Sequence, residues 1–195
     1  MEDYPTSSLL EKAKQAYKND QYSECVRFCE IALSRDTESK ADQIQIMHLL
    51  ADVLLDLEQF PKAVDLYSKL LALETSDIAF ANRGYAFFEM KQWNLALHDY
   101  LEAIRINPAN MIATGFVAEC HLKSGNPETA ISFLLQAIKS KPTWGRLHRI
   151  LGHAYSSKGE WSDAYSAFRN AVDLDPADEV SKRAFLEIEK SADDA

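Results

Sequence analysis

Two cysteines lie one helical turn apart and are the first residues whose spacing could support chemistry. On a helix, Cys25 and Cys29 would present their thiols on one face, where they could bind a metal ion or act as a redox pair. Both also occupy small or apolar positions of the repeating pattern described below, and a buried cysteine behaves as a small hydrophobic residue. The pattern favours this second interpretation, for Cys120 as well. Three cysteines in 195 residues do not indicate a disulfide framework.

The five histidines are the next candidate ligands or bases, and they are dispersed along the chain. His48 and His153 belong to distant parts of the sequence, whereas His148 and His153 are five positions apart and would diverge on a helix. There is no glycine-rich loop of the kind that binds phosphate, and the carboxylates have ordinary surface spacing. An enzyme needs a nucleophile, a base and stabilising groups that converge. We therefore expect no enzymatic activity, no catalytic residue, no metal site and no cofactor.

The charge balance bears on the class of partner. The chain has 21 Lys and Arg residues against 30 Asp and Glu residues, a formal net charge of -9. Nucleic-acid binding draws on clustered cations, so this composition argues against a nucleic-acid partner. No apolar run is long enough to span a bilayer, and residues 1–5 have no signal-like composition. These features predict a cytoplasmic protein that binds a protein or peptide and does not insert directly into a membrane.

A period of 34 residues organises the second half of the chain. Glycine and proline are scarce, at six residues each, and the stretches between them are rich in residues that favour helices. A fixed period of this length is typical of stacked helical repeats. The residues that recur at this interval are Pro108, Pro142 and Pro176, Ala96, Ala130 and Ala164, and Ala103, Ala137 and Ala171.

The best-defined unit covers residues 145–178 and predicts two helices, A and B. Gly152 and Ala164 are expected where these helices cross, because only small side chains let two backbones approach closely. Pro176 cannot continue a helix and therefore ends the unit. The residues that carry the pattern are Leu151, Gly152, Tyr155, Ala164, Phe168, Ala171 and Pro176.

This pattern resembles the tetratricopeptide repeat family over nearly the whole chain. It departs from the family at His148, where the family has tryptophan, and at Arg83, where the family prefers leucine. The resemblance implies an all-α fold, a right-handed α-solenoid of about five helix-turn-helix repeats with a C-terminal capping helix. The predicted segments are an N-terminal tail at 1–5, repeats at 6–39, 44–76, 77–110, 111–144 and 145–178, an insertion at 40–43, a capping helix at 179–192 and a tail at 193–195.

The predicted insertion and capping helix each follow from a local pattern. Cys25 and Ala63 are 38 residues apart, four more than the period, which indicates an extended loop or an extra helical turn between them. The residues after Asp178 have one apolar face, which suits a helix that covers the open end of a solenoid. Its apolar residues are Val180, Ala184, Phe185 and Ile188.

The resemblance also implies a binding surface. In this family the A helices line a concave groove that binds peptides or partner segments, and a fixed set of A-helix positions faces it. The predicted groove residues at those positions are Lys14, Tyr17, His48, Asp52, Asn82, Tyr85, Phe88, Glu89, Phe116, Glu119, Lys123, Arg146, Arg149 and His153. Leu10, Asp56 and Ile150 occupy matching positions too.

The predicted groove contains large aromatic residues and a separation of charge. Tyr85, Phe88 and Phe116 occupy positions that the core of one repeat does not require, so they are candidates either for partner binding or for contact with a neighbouring repeat. Acidic candidates concentrate in the first repeats and basic candidates in the last ones. A partner with an apolar centre, a basic arm towards the N-terminal repeats and an acidic arm towards the C-terminal ones would match, although each charge could equally be solvated.

One specific activity of the family fits this sequence poorly. Co-chaperones of the family hold the terminal carboxylate of heat-shock chaperones with a set of lysine, asparagine and arginine residues. Asn82 matches one asparagine position, but His48 and Asp52 occupy the preceding positions and Ile112 and Phe116 the following ones. A carboxylate would meet an aspartate and an aromatic ring, so this activity is not expected in its usual form.

The sequence thus predicts a non-catalytic adaptor or scaffold that binds a peptide or partner segment in its concave groove. Two alternatives remain open at this level. One is a client-specific chaperone of the kind that accompanies secreted proteins, and the other is a structural subunit of a homo-oligomer or multi-subunit complex.

Overall fold

The computed structural model describes residues 5–35 and 39–193, and within these ranges the regular structure consists of eleven α-helices. Residues 36–38 of the first predicted repeat and most of both predicted tails lie outside the described residues. The helices are α1 (Thr6–Lys18), α2 (Tyr22–Leu33), α3 (Lys40–Asp56), α4 (Phe60–Leu73), α5 (Asp77–Glu89), α6 (Trp93–Ile106), α7 (Met111–Lys123), α8 (Pro127–Ser140), α9 (Gly145–Ser157), α10 (Trp161–Leu174) and α11 (Glu179–Asp193).

Successive helices form antiparallel A–B pairs because each presents one apolar face. In α4, for example, Ala63, Leu66, Tyr67 and Leu70 are buried, with the spacing of neighbours on one side of a helix. The chain divides into two compact units, residues 1–107 and 108–195. In the first unit α1 contacts α3 and α3 contacts α5, so three A helices lie side by side. In the second unit α7 contacts α9, and α9 contacts the capping helix α11.

The predicted insertion at 40–43 falls inside a helix. These residues form the first turn of α3, which has 17 residues where α5, α7 and α9 have 13 each. The side chain of Ser39 accepts a hydrogen bond from the backbone N–H of Asp42 and caps this turn. Four additional residues therefore lengthen the second A helix by about one turn.

The turns between A and B helices share one backbone feature in all five repeats. Asp20, Glu58, Lys91, Gly125 and Gly159 each have a positive φ, between 55° and 75°. This left-handed conformation ends helix A and is unfavourable for residues with a Cβ atom, so glycine is the usual occupant. The first three repeats therefore carry local strain that the last two avoid.

The A–B crossings depend on small residues. A Cβ atom added at Gly152 would lie 2.7 Å from the ring of Phe168, and one added at Gly84 would lie 3.2 Å from the ring of Tyr100. Glycine therefore lets a large ring of helix B lie directly on the backbone of helix A. Ala164 is completely buried beside the first of these rings.

A buried ion pair joins α5 to α6. Arg83 donates two hydrogen bonds to Asp99, of 2.7 and 2.9 Å, and a third of 3.0 Å to Ser68 on α4. The side chains of Arg83 and Asp99 are 18% and 2% exposed, and the guanidinium also lies over the rings of Phe80 and Phe87. The departure from leucine at Arg83 is thus compensated by a carboxylate on the facing helix.

The capping helix covers the last repeat with only part of its predicted apolar face. Ala184 and Ile188 are buried against Phe168 and Ala164, and Phe185 packs beside Tyr165 at 5.0 Å. The prediction for Val180 was wrong, because this residue lies in the first turn of α11 and is 54% exposed.

We expect glycine to be favourable at the left-handed turn positions. Lys91→Gly should raise the free energy of unfolding by about 1 kcal/mol, because it removes the strain of a positive φ. Gly125→Ala should lower it by about 1 kcal/mol, and its added Cβ would meet no atom within 4 Å, so the effect is conformational. Lys69→Gly, at an exposed position inside α4, should be destabilising by a similar amount. Urea unfolding followed by circular dichroism measures all three, and a destabilising Lys91→Gly would contradict the argument.

The Arg83–Asp99 pair should show strong energetic coupling. Asp99→Ala and Arg83→Leu should each lower the free energy of unfolding by about 3–5 kcal/mol, because each strands one buried charge. The double variant Arg83→Leu/Asp99→Ala should be clearly less destabilised than the sum of the single changes. Additive effects in this double-mutant cycle, measured by urea unfolding, would show that the pair is not a coupled unit.

Candidate functional site

The first unit contains a cavity of about 550 Å³ at the C-terminal ends of its three A helices. It is open to solvent and lies between α1, α3 and α5, with the turn into α4 closing one side. Because A helices stack in the same orientation in each repeat, corresponding ends of α1, α3 and α5 come together here. The residues that line the cavity, which we call the first-unit cavity, are Tyr17, Asp52, Leu55, Asp56, Glu58, Phe60, Asn82, Tyr85 and Glu89.

Two aspartates in the first-unit cavity are held by hydrogen bonds from neutral groups. Tyr17 donates to Asp56 at 2.9 Å. Tyr67 donates a short hydrogen bond to Asp52, and the Asn82 amide donates to the same carboxylate at 3.1 Å. Burial raises the pKa of Asp52 above its usual range, since it disfavours the charged form. The same cause, followed by the hydrogen bond to Asp56, raises the pKa of Tyr17.

Aromatic rings form part of the cavity wall. Tyr85 of α5 meets Phe60 of α4 edge to face, with ring centroids 6.4 Å apart. Burial and the neighbouring carboxylate of Glu89, one helical turn along α5, raise the pKa of the Tyr85 hydroxyl. The wall therefore combines π faces with carboxylates within one concave surface.

The structure brings together five of the eight groove residues predicted in the first unit. Tyr17, Asp52, Asn82, Tyr85 and Glu89 all line the first-unit cavity. They follow the repeat register, which places them on the same face of three neighbouring helices.

The other three predicted residues of this unit contact different groups. Lys14 donates to Glu11 at 3.0 Å and to Gln45 at 3.3 Å. His48 lies 2.9 Å from Glu74, and Phe88 packs edge to face on Trp93 at 5.0 Å. For Phe88 the contact is thus with helix B of its own repeat.

Glu58, Phe60 and Leu55 line the cavity but were absent from the predicted groove. Glu58 and Phe60 lie in the A–B turn and at the start of α4, whereas the family pattern assigns groove positions only to A helices. No signal in the sequence set Glu58 apart, because the first and third repeats also carry a charged residue at this turn position, Asp20 and Lys91. Leu10 also departs from the prediction, because it is only 4% exposed and belongs to the core of the first unit.

In the second unit three of the six predicted groove residues contact one another. Arg146 lies over the ring of Phe116, 4.6 Å from its centroid, and donates to Glu119 at 3.1 Å. Gly115 permits this arrangement, since a Cβ there would lie 3.3 Å from the Arg146 guanidinium. Arg149 forms an ion pair of 3.4 Å with Asp178. Both arginines, predicted to attract an acidic arm, thus have carboxylate partners within the unit.

A second cavity, of about 390 Å³, lies along α7 and α9. Among its lining residues are four predicted ones, Glu119, Lys123, Arg149 and His153. Its charges are mixed, and Glu119 lies among the cations. Burial, with Arg149 and Lys123 nearby, lowers the pKa of His153. Ile150, which also occupies a matching position, lines this cavity as well, although it is only 2% exposed.

All three cysteines lie in the core of the described part of the chain. Cys25, Cys29 and Cys120 are all completely buried, and burial raises the pKa of each thiol. Within residues 5–35 and 39–193, no group of three or more His, Cys, Asp or Glu side chains is arranged to bind a metal ion.

Among the helices that the structure describes, none combines the length and apolar character needed to cross a membrane.

Comparison with known protein families identifies two segments of the chain. Residues 78–110 and residues 147–180 each match a model of the tetratricopeptide repeat. These segments correspond to the third repeat, α5 and α6, and to the fifth, α9 and α10.

Some of the curated relatives carry the same repeat in their names. The chain is 32% identical over 100 residues to small glutamine-rich tetratricopeptide repeat-containing protein 2 of Mycosarcoma maydis, which covers 51% of the chain and 28% of that protein. It is 24% identical to Hsp70-Hsp90 organizing protein 1 of Glycine max, over 90% of the chain and 37% of that protein. The chain thus spans about a third of the length of these relatives.

Solved structures with the same fold include a MamA protein and YrrB. The MamA structure has a TM-score of 0.75 at 21% identity and covers 88% of this chain and 92% of its own. YrrB, described as a TPR protein with an unusual peptide-binding site, has a TM-score of 0.71 at 19% identity, with 90% and 89% covered.

These similarities confirm the predicted fold class, an all-α solenoid of about five helix-turn-helix repeats with a capping helix. The repeat models, the named relatives and the fold agree in supporting a tetratricopeptide repeat protein, with tetratricopeptide repeats matched at residues 78–110 and 147–180.

Proposed function

We propose that this chain is a non-catalytic adaptor that binds an extended segment of a partner protein, and that the first-unit cavity is its main binding site. The observation that carries the proposal is the convergence of α1, α3 and α5 on one open cavity of about 550 Å³. Five residues predicted for the groove from sequence line this cavity, and they come from three successive repeats.

The composition of the cavity supports peptide binding. Specific peptide and protein sites combine aromatic anchors with a small number of polar groups that fix orientation. Tyr17, Phe60 and Tyr85 supply rings, and Asn82 and the carboxylates supply polar groups. The cavity is also open along one side, so a chain longer than a single residue could pass through it.

Relationships to known proteins agree with an adaptor. YrrB, which has the same fold, is described as having a peptide-binding site. Two of the relatives are named as organizing proteins of Hsp70 and Hsp90. The first-unit cavity of this chain, however, is rich in carboxylates, which would repel a terminal carboxylate ligand. The proposed partner segment therefore differs from the heat-shock chaperone termini bound by co-chaperones of this family.

The proposal predicts that removal of one ring from the cavity impairs binding without unfolding the chain. Short random-sequence peptides selected on the wild-type protein should bind Tyr85→Ser about thirtyfold more weakly, corresponding to a loss of about 2 kcal/mol for an aromatic hot spot. Leu101→Ser is the matched control, because Leu101 is 46% exposed on α6, a B helix of the same repeat. Fluorescence anisotropy measures the affinities, and circular dichroism checks that both variants stay folded.

The control also separates this function from its alternatives. Loss of binding in Leu101→Ser with no change in Tyr85→Ser would place the site on the outer helices. A protein from which no binding peptide can be selected, but which prevents the aggregation of a full-length client, would instead be the client-specific chaperone. Self-association on a sizing column that Tyr85→Ser leaves unchanged would favour the structural subunit.

A further inference from the structure

We propose that the first-unit cavity recognises a cationic side chain, a lysine or arginine, within the partner segment. This inference rests on the proposed function and adds to it the chemical class of the residue that is bound. It is carried by the combination of a cavity, its carboxylates and its aromatic walls.

The carboxylates of the cavity come from separate elements and surround one space. Asp52 and Asp56 lie in the last turns of α3, Glu58 lies in the turn that follows, and Glu89 is the last residue of α5. Among the residues described as lining the cavity, none is a lysine, arginine or histidine. The cavity is thus a concave surface of one charge sign, in which the field of the walls is concentrated.

Hydrogen bonding inside the cavity does not supply a countercharge. Asp52 accepts from the hydroxyl of Tyr67 and the amide of Asn82, and Asp56 accepts from the hydroxyl of Tyr17. All three donors are neutral, so they orient the carboxylates without adding positive charge. The pKa of Asp52 is raised chiefly by burial, which disfavours the ionised form, and these hydrogen bonds only partly offset that effect.

Two basic side chains on the same helices, Lys14 and His48, are directed to other partners. The ammonium group of Lys14 on α1 donates to Glu11 and Gln45. The electrostatic interaction with His48 on α3 lowers the pKa of Asp52 and so partly opposes the effect of burial. A ring nitrogen of His48 lies 2.9 Å from Glu74. A cation from a partner would therefore meet carboxylates whose hydrogen-bond partners within the chain are tyrosine and asparagine.

The aromatic walls favour the same class of ligand. Ammonium and guanidinium groups are attracted to the faces of aromatic rings, and this attraction strengthens when water is excluded. Tyr85 and Phe60 meet edge to face at one side of the cavity, and Tyr17 lies on α1 at another. A long aliphatic stem, as in lysine and arginine, can pack on these rings while its charged end reaches a carboxylate.

The C-terminal ends of two helices add a weaker electrostatic attraction for a cation. α3 ends at Asp56 and α5 ends at Glu89, and both residues line the cavity. The C-terminal end of a helix carries a partial negative charge from its unsatisfied carbonyl groups, and it stabilises a nearby cation. An apolar side chain in this position would instead desolvate the carboxylates without compensation.

The test uses four libraries of short fluorescent peptides that differ only in a fixed central residue: lysine, arginine, norleucine or glutamate. Norleucine is the neutral match for lysine in size. We expect the lysine and arginine libraries to bind the wild-type chain at least about tenfold better than the norleucine library, and the glutamate library to bind least. Higher ionic strength should reduce this preference.

A pair of variants assigns the preference to the cavity. Glu58→Gln/Glu89→Gln keeps the shape of both side chains and removes two charges, so it should abolish most of the preference for lysine over norleucine. The matched control, Glu24→Gln/Glu102→Gln, changes the net charge equally. Its carboxylates lie on α2 and α6, where they pair with Arg27 and Arg105 at i,i+3 positions. It should leave the preference unchanged.

Each outcome has a distinct meaning. If the norleucine library binds as well as the lysine library, and Tyr85→Ser weakens both, the cavity binds peptides and the cationic assignment is wrong. If the control variant reduces the preference as much as the cavity variant, general attraction to an acidic protein explains it and the assignment also fails. If no library depends on Tyr85, the proposed function itself is wrong.

Discussion

The close approach of the two helices within each repeat is the constraint on which the other features of this chain depend. A ring of helix B lies directly on the backbone of helix A at Gly152 and Gly84, where an added Cβ would lie 2.7 Å and 3.2 Å from the facing ring. This contact fixes which face of each A helix is buried. The opposite face is then available for other contacts, whether with a partner or with a neighbouring repeat.

Stacking of successive helix pairs brings the exposed faces of their A helices together. Because α1, α3 and α5 each expose corresponding faces, their C-terminal ends form one concave surface that none of them could form alone. The carboxylates of Asp52 and Asp56 are held there by tyrosine and asparagine side chains from other helices. The framework residues thus orient the polar groups of the cavity in addition to supporting the fold.

The recurring residues of the sequence predicted the helix pairs, its apolar C-terminal segment predicted the capping helix, and the resemblance to the repeat family implied five residues of the first-unit cavity. It did not predict features that depend on pairing between side chains of different helices. Arg83 and Asp99 form a buried pair although they are 16 positions apart, and Arg146 and Arg149 are used in internal ion pairs. Periodicity assigns a residue to a face of a helix, but the rotamer and the neighbouring helix determine its partner.

The residue Glu58 combines two demands that conflict. It occupies a left-handed turn position, with φ of 55°, for which glycine is the better choice, and its side chain lines the first-unit cavity. A glycine there would relieve the backbone and remove a carboxylate from the cavity at the same time. Substitutions that bring this turn closer to an ideal repeat are therefore expected to trade recognition for stability. A turn position without glycine can therefore carry a side chain that differs from one repeat to the next, as Asp20, Glu58 and Lys91 do.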